Sequence, residues 1–481
     1  MMQTQAAADP DNLAAAVRTM LHAGRPAAAR PLLAALTRLR PNADGIALLE
    51  SGLAEAEGRI PEAIAVLNAA LAAVPADAAL LKRRAGLSHQ AGDTVAALRD
   101  AAEAVIAAPA DPSAKALLGL LLIETGDAVG ARACLAEAIE AEPDNASFRL
   151  GFAEAATRTG DAASAAAALD DGIRRTPMRP DLREAAIRLA LRRGDPATAE
   201  RLAEAARQAG LADATVLRLL GRAVAAQGRA SDSMAALGEA LKLDPQDALL
   251  RHMAAAAGML PAPDRAPPSA VRALFELNVT KGENEVIAAG DRVPGLVRAA
   301  VLAGTVFPKD SRLGPVLDLG CGGGLLAVAL SDLPLGPFVG VDLSPAMLAA
   351  AGQWKVYDEL VEADLLSFVA EEQRLFPLIL AANVLCWFGS LDAVVTAIAA
   401  RLAPGGRLIF SLEAMRSERP DGRGWELGPE GRYTHTAAAC ERAARAARIR
   451  VAQLAPEILS TGKGPPVPGL IAVLVRSDDA G

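Results

Sequence analysis

Residues 316–324 read VLDLGCGGG, and this stretch decides what the second half of the chain becomes. The apolar run broken by one acid, Asp318, predicts a buried strand. Glycines at alternate positions (Gly320, Gly322, Gly324) predict a sharp turn where backbone lies close to a ligand, because no Cβ stands in the way. The apolar LLAVALSDL that follows predicts a helix opening straight out of the turn. A strand, a glycine turn and a helix N-terminus offer a ligand backbone N–H groups, but dinucleotide folds use the same device, so the loop alone does not choose the ligand.

Three features downstream narrow the choice. Asp342 closes the run VGVD, 18 residues beyond Gly324, where a carboxylate can accept from both hydroxyls of a ribose. Ser344 and Pro345 then supply an N-cap and a first helical residue. Ala363-Asp364-Leu365 follows a third apolar run, and an acid there can accept a hydrogen bond from an adenine amino group. Beyond residue 268, short β-branched runs alternate with helical stretches, which predicts βαβ units around a parallel sheet. Helices are expected near 270–289, 294–304 and 434–446. Seven strands are expected, near 315–319, 337–342, 358–362, 376–382, 406–412, 447–454 and 469–476.

This combination resembles the class I S-adenosylmethionine-dependent methyltransferases. The pattern acid-x-Gly-x-Gly-x-Gly, an acid after strand two and an acid after strand three falls on Asp318, Gly320, Gly322, Gly324, Asp342 and Asp364. The resemblance spans about residues 270–481 and implies a doubly wound, seven-stranded Rossmann-like domain that binds S-adenosyl-L-methionine. Asp318 and the loop, Cys321 included, would face the cofactor's amino-acid end. Asp342 and Leu343 would hold the ribose, and Ala363, Asp364 and Leu365 the adenine; Asn383 after strand four completes the implied set. More narrowly, the stretches ANVLCWFG (382–389), FSLEA (410–414), GRYTH (431–435) and PVPGL (466–470) resemble bacterial methyltransferases with N-terminal repeats. The chain departs from the family at Pro377 and Asn383, where aspartates often stand, and at 275–286, which has no aromatic beyond Phe275 and no histidine. His435, the only histidine after residue 252, is a candidate general base, with Tyr433 near it in sequence and Glu413 at the end of the fifth expected strand as further candidate catalytic groups. The alternative for His435 is a residue at a helix start capped by Thr434.

The first half obeys another rule. Glycine recurs every 34 residues, at Gly24, Gly58, Gly92, Gly126, Gly160, Gly194 and Gly228. Five residues after each stands a small residue, from Ala29 and Ala63 to Ala199 and Ser233. Proline follows 17 residues after the glycine at Pro41, Pro75, Pro109, Pro143, Pro177 and Pro245. Glycine lets the chain turn out of one helix, proline ends the next, and the small residues mark where paired helices cross. The period is that of tetratricopeptide (TPR) repeats, which it resembles over roughly residues 10–247, with an end helix at 248–259. The expected domains are thus a TPR α-solenoid over 10–260, a proline-rich extended linker over 261–268 (PAPDRAPP), and the α/β domain over 269–481.

Bulk properties set the outer limits. The net charge of −8 argues against a nucleic-acid or anionic-membrane partner. Four cysteines without a CxxC pair suggest neither a metal site nor disulfides, and no apolar run is long enough to span a bilayer. A cytoplasmic setting is expected. The function expected is methyl transfer to an unidentified acceptor, a small molecule or a protein, with the TPR groove holding a protein or peptide. A non-catalytic scaffold is the alternative.

Overall fold

The computed structural model describes residues 9–40, 45–278, 291–305, 311–415, 422–461 and 466–477. Contacts divide the chain into two compact units, 1–186 and 187–481.

Within the first unit, helices run in antiparallel pairs, from Pro10–His22 with Pro26–Leu39 to Ala146–Arg158 with Ala162–Arg175. Every periodic glycine in the chain has positive φ, between 65° and 93°. Ala63, Ala97, Ala131 and Ala165 are fully buried, so the small-residue phase marks the helix crossings. The aspartate after each of Gly92, Gly126 and Gly160 caps the next helix. Asp93, Asp127 and Asp161 accept from the backbone N–H three residues on at 2.9–3.0 Å, each worth about 1 kcal/mol.

The second unit begins inside the helix Pro180–Arg192. It includes the pair Ala214–Ala225 and Ala230–Leu243, the end helix Ala248–Ala256 and the α/β domain. The last repeats group with the sheet because the segment after them is bonded into it. Residues 261–268, expected as a spacer, are an ordered part of the domain. Ala266 N donates to Trp387 O at 2.9 Å, Gly389 N to Asp264 O at 2.8 Å, and the Tyr433 hydroxyl to Pro263 O at 2.7 Å. The physical reason is that proline-rich backbone is extended and its carbonyls are free to pair. His252 of the end helix is buried with Nε2 2.8 Å from Gly431 O, where the neutral ring donates.

The sheet holds β1 (Val316–Leu319), β2 (Phe338–Asp342), β3 (Glu359–Glu362), β4 (Phe376–Ala381), β5 (Leu402–Ala414), β6 (Trp425–Leu427), β7 (Tyr433–His435), β8 (Arg450–Ser460) and β9 (Val467–Val475). The first five are parallel in the order β3-β2-β1-β4-β5, and β9 lies antiparallel to β5 with β8 outside it. Beyond the last β4 pair, Ala381↔Phe410, β5 takes β7 as partner through Glu413↔Thr434 and Ala414↔His435. The short β6–β7 hairpin adds two strands to the seven expected, and Thr436, not Thr434, caps the helix Ala437–Ala446. Alternating residues serve two cores. Leu317, Ile379 and Phe410 pack toward the helices Asp392–Ala399 and Ala437–Ala446, while Val316, Leu378 and Ile409 pack toward Val293–Gly304.

Candidate cofactor and active site

The glycine turn leaves β1 with Gly320, Gly322 and Gly324 at φ 67°, 52° and 86°. Each glycine answers a different need. A Cβ on Gly320 would stand 2.5 Å from Val384 Cγ2, so here close packing excludes a side chain. A Cβ on Gly324 would press on Tyr357 and Trp354 at 3.1 and 3.2 Å. A Cβ on Gly322 would meet nothing within 4 Å. Gly322 faces open space, as a backbone cradle must.

Asp342 ties the turn to β2. Its Oδ2 accepts from Gly322 N and its Oδ1 from Ser344 N, both at 2.9 Å. Each carboxylate oxygen keeps a further lone pair, and burial raises its pKa. Ser344 caps the next helix through Met347 N at 3.3 Å. Asp318 is buried and accepts the Tyr357 hydroxyl at 2.7 Å. Desolvation pushes its pKa up to about 7, against the Tyr357 hydrogen bond, and the charge of Asp342 adds to the rise. Burial also drives the Cys321 thiol far up, which gives this cysteine no nucleophilic character. Trp354 Nε1 donates to Gly323 O at 2.9 Å, pinning the loop from outside.

At the end of β3, Asp364 caps the helix Leu365–Glu371 by accepting from Ser367 N at 3.2 Å, and its other oxygen is ion-paired with Arg265. Ala363 N is bonded to Asp342 O at 3.1 Å, Leu365 is buried, and Leu343 packs beside Trp387 and Tyr433. Asn383, with φ 56°, donates its backbone N–H to Ser411 Oγ at 2.8 Å and its side-chain Nδ2 to Asp291 Oδ2 at 3.1 Å. The 275–286 segment lies outside the described residues except for the end of the helix Pro268–Asn278.

The three catalytic candidates are not brought together as a base and its helpers. His435 is fully buried, with Nε2 2.8 Å from Phe388 O and 3.1 Å from Gly389 O, while Nδ1 has no partner. Desolvation lowers its pKa to about 4. Tyr433 is buried and spends its hydroxyl on Pro263. Both residues are pieces of the hairpin's packing. Glu413 is ion-paired with Arg432 at the mouth formed by β5 and β7. Sequence reasoning missed Tyr357, Asp291 and Arg265. None has a motif of its own, and each reaches the site from a distant part of the chain.

A parallel β3-β2-β1-β4-β5 sheet closed by an antiparallel β9, with a glycine turn after β1 and acids after β2 and β3, defines a methyltransferase-type α/β domain. A family model described as a methyltransferase domain matches residues 293–447. Tetratricopeptide-repeat models match 15–78, 53–115, 122–187 and 184–248. The chain therefore carries TPR repeats followed by a methyltransferase domain. It is similar to the ribosomal protein L11 methyltransferase of Xanthomonas campestris pv. campestris, 38% identical over 98 residues, covering 20% of this chain and 31% of that one. It is also similar to the trans-aconitate 2-methyltransferase of Paracidovorax citrulli, 35% identical over 107 residues, covering 21% and 40%. The chain thus spans less than half the length of these relatives. Among solved structures, a TPR protein from Parabacteroides merdae aligns with TM-score 0.39 and 20% identity, covering 51% of this chain and 97% of that one. The magnesium protoporphyrin IX methyltransferase of Synechocystis with bound SAH aligns with TM-score 0.31 and 17% identity, covering 44% and 99%.

Proposed function

We propose that the α/β domain transfers a methyl group from S-adenosyl-L-methionine to an acceptor at the carboxyl ends of β4 and β5, while the TPR half holds a protein or peptide partner. The observation that carries this reading is the Asp342–Gly322 hydrogen bond beside the open space at Gly322. It supports a carboxylate already oriented for a vicinal diol, next to backbone that can be approached closely. Asp342 would hold the ribose, the 320–324 turn and Asp318 the amino-acid end, and the Ala363–Leu365 corner the adenine. The sulfonium supplies a reactive methyl when bound. What this chain adds is positioning and exclusion of water. Val384 against Gly320 sets the turn beside the end of β4, and Asn383, Asp291, Glu413 and Arg432 supply polar groups for an acceptor. The burial and lowered pKa of His435 speak against an imidazole base, so the proposed chemistry relies on alignment or on Glu413.

The relatives carry ribosomal protein L11 and trans-aconitate in their names, so both protein and small-molecule acceptors stay within the proposal. The setting we propose is cytoplasmic; among the described residues no helix is long and apolar enough to cross a membrane. The engagement of Asp364 by Arg265 favours the second reading, a scaffold that keeps the fold without transfer. Calorimetric titration of S-adenosylmethionine and its demethylated product into the full-length chain separates the two. Micromolar binding that disappears in Asp342→Ala supports the enzyme; a folded chain that binds neither leaves the scaffold.

A further inference from the structure

We propose that Arg265, which lies between the repeats and the sheet, competes with the cofactor for Asp364 and thereby sets cofactor affinity. This inference rests on the cofactor reading above. One oxygen of Asp364 is committed to Ser367 N and the other to the Arg265 guanidinium. The side chains of Arg265 and Asp364 are 27% and 16% exposed, so the pair is still open to solvent and salt reaches it.

Arg265 is held in this place by its neighbours. It forms an antiparallel bridge with Phe388, flanked by the Ala266 N–Trp387 O bond at 2.9 Å and the Gly389 N–Asp264 O bond at 2.8 Å. Arg272 makes a second ion pair of the same sense, to Glu362 at the end of β3, at 2.9 Å. The 261–272 stretch thus crosses the carboxyl ends of β3 and β4, where the adenine corner lies.

A hydrogen bond from a cation to a carboxylate is about twice as strong as one from a neutral donor. Each Asp364 oxygen keeps a further lone pair, but an adenine amino group is neutral and shares the carboxylate with the Arg265 cation, so it gains less from Asp364 than from a carboxylate with no cation on it. The Phe388 ring, 4.8 Å from the guanidinium carbon, helps hold the cation in its paired position. The pair thus subtracts from cofactor affinity and couples the adenine corner to the segment that ends the solenoid.

The test uses full-length protein and S-adenosylhomocysteine, whose zero net charge keeps the ligand's own salt dependence small. Its Kd is measured by calorimetry between about 50 and about 500 mM NaCl. Wild type is expected to bind roughly three- to tenfold tighter at the higher salt, as screening weakens the pair. Arg265→Met keeps the alkyl stem but removes the charge. It is expected to bind roughly three- to tenfold tighter than wild type at low salt and to show no salt dependence. Binding in wild type that is flat in salt, or an Arg265→Met protein that binds equally or more weakly, overturns the inference and leaves the cofactor reading standing. Should Arg265→Met not fold, the wild-type salt series decides alone. Absence of binding in both folded proteins at every salt removes the cofactor reading and this inference together.

Discussion

Two glycines two residues apart should respond to alanine in opposite ways. Gly320 and Gly322 both have positive φ, 67° and 52°, so alanine costs each about 1 kcal/mol of backbone strain. At Gly320 the new Cβ also lies 2.5 Å from Val384 Cγ2 and 2.7 Å from Val384 Cβ, both on a β-branched side chain with little freedom to withdraw. Overpacking of this kind costs a further 1–3 kcal/mol, for about 2–4 kcal/mol in all. At Gly322 the Cβ meets nothing, so the loss stays near 1 kcal/mol, a Tm change of roughly 2–4 °C for a domain of this size. The same Cβ projects into the space proposed for the cofactor, where it should weaken binding about tenfold or more. Thermal unfolding and calorimetric titration of S-adenosylmethionine read the two effects separately. Gly320→Ala should be the worse-folded protein, and Gly322→Ala a nearly stable one that binds about tenfold or more weakly. Equal destabilisation of the two, or undiminished cofactor binding by Gly322→Ala, would refute the assignment of Gly322 to the ligand and Gly320 to packing.

The site's buried titratable groups give two pH predictions. His435 titrates near 6.5 when unfolded and at about 4 in the fold. The unfolded chain therefore binds more protons between these values, and stability falls as pH drops through this window, by about 3 kcal/mol in all. Urea unfolding between pH 4 and 7 should show this slope reduced in His435→Gln, and an unchanged slope would count against a buried neutral ring. Asp318, with its pKa raised to about 7, is mostly protonated at pH 6. A cationic group bound beside it would release about one proton there, visible as a dependence of binding heat on the buffer's ionisation enthalpy. Heats independent of buffer at pH 6 would argue that the cofactor's cation lies elsewhere. In the solenoid, Ala131 is fully buried at a helix crossing. Ala131→Leu should destabilise by about 1–3 kcal/mol in chemical unfolding, and a neutral result would mean the small-residue phase is not a packing constraint.

The repeats were legible because their determinants are local. A glycine that must take positive φ, a small residue that must pass another helix and a proline that must end one all recur at a fixed distance along the chain. The glycine turn and its acids were legible for a similar reason: the turn follows β1 directly, Asp342 ends β2 and Asp364 follows β3. The hairpin was not. Trp425–Leu427 and Tyr433–His435 are three residues each, too short for a period to show, and β7 exists because β5 runs past the end of β4 and has an edge to fill. Its polar, glycine-rich sequence shows no strand pattern, and so His435 reads as the start of a helix rather than as part of a strand.

What the sequence determined by itself was the order of the machines, the period of the first, and the acids and glycines of the second, because each rests on residues near one another in the chain. Tertiary structure alone decided which polar side chains are free to act. Packing buried His435 and Tyr433, and long-range pairing brought Asp291 to Asn383. The Pro261–Pro268 segment became a wall of the site, carrying Arg265 to Asp364. A carboxylate looks the same in a sequence whether its oxygens are open or occupied. The difference lies in a partner 99 residues away, and only the folded chain brings the two together.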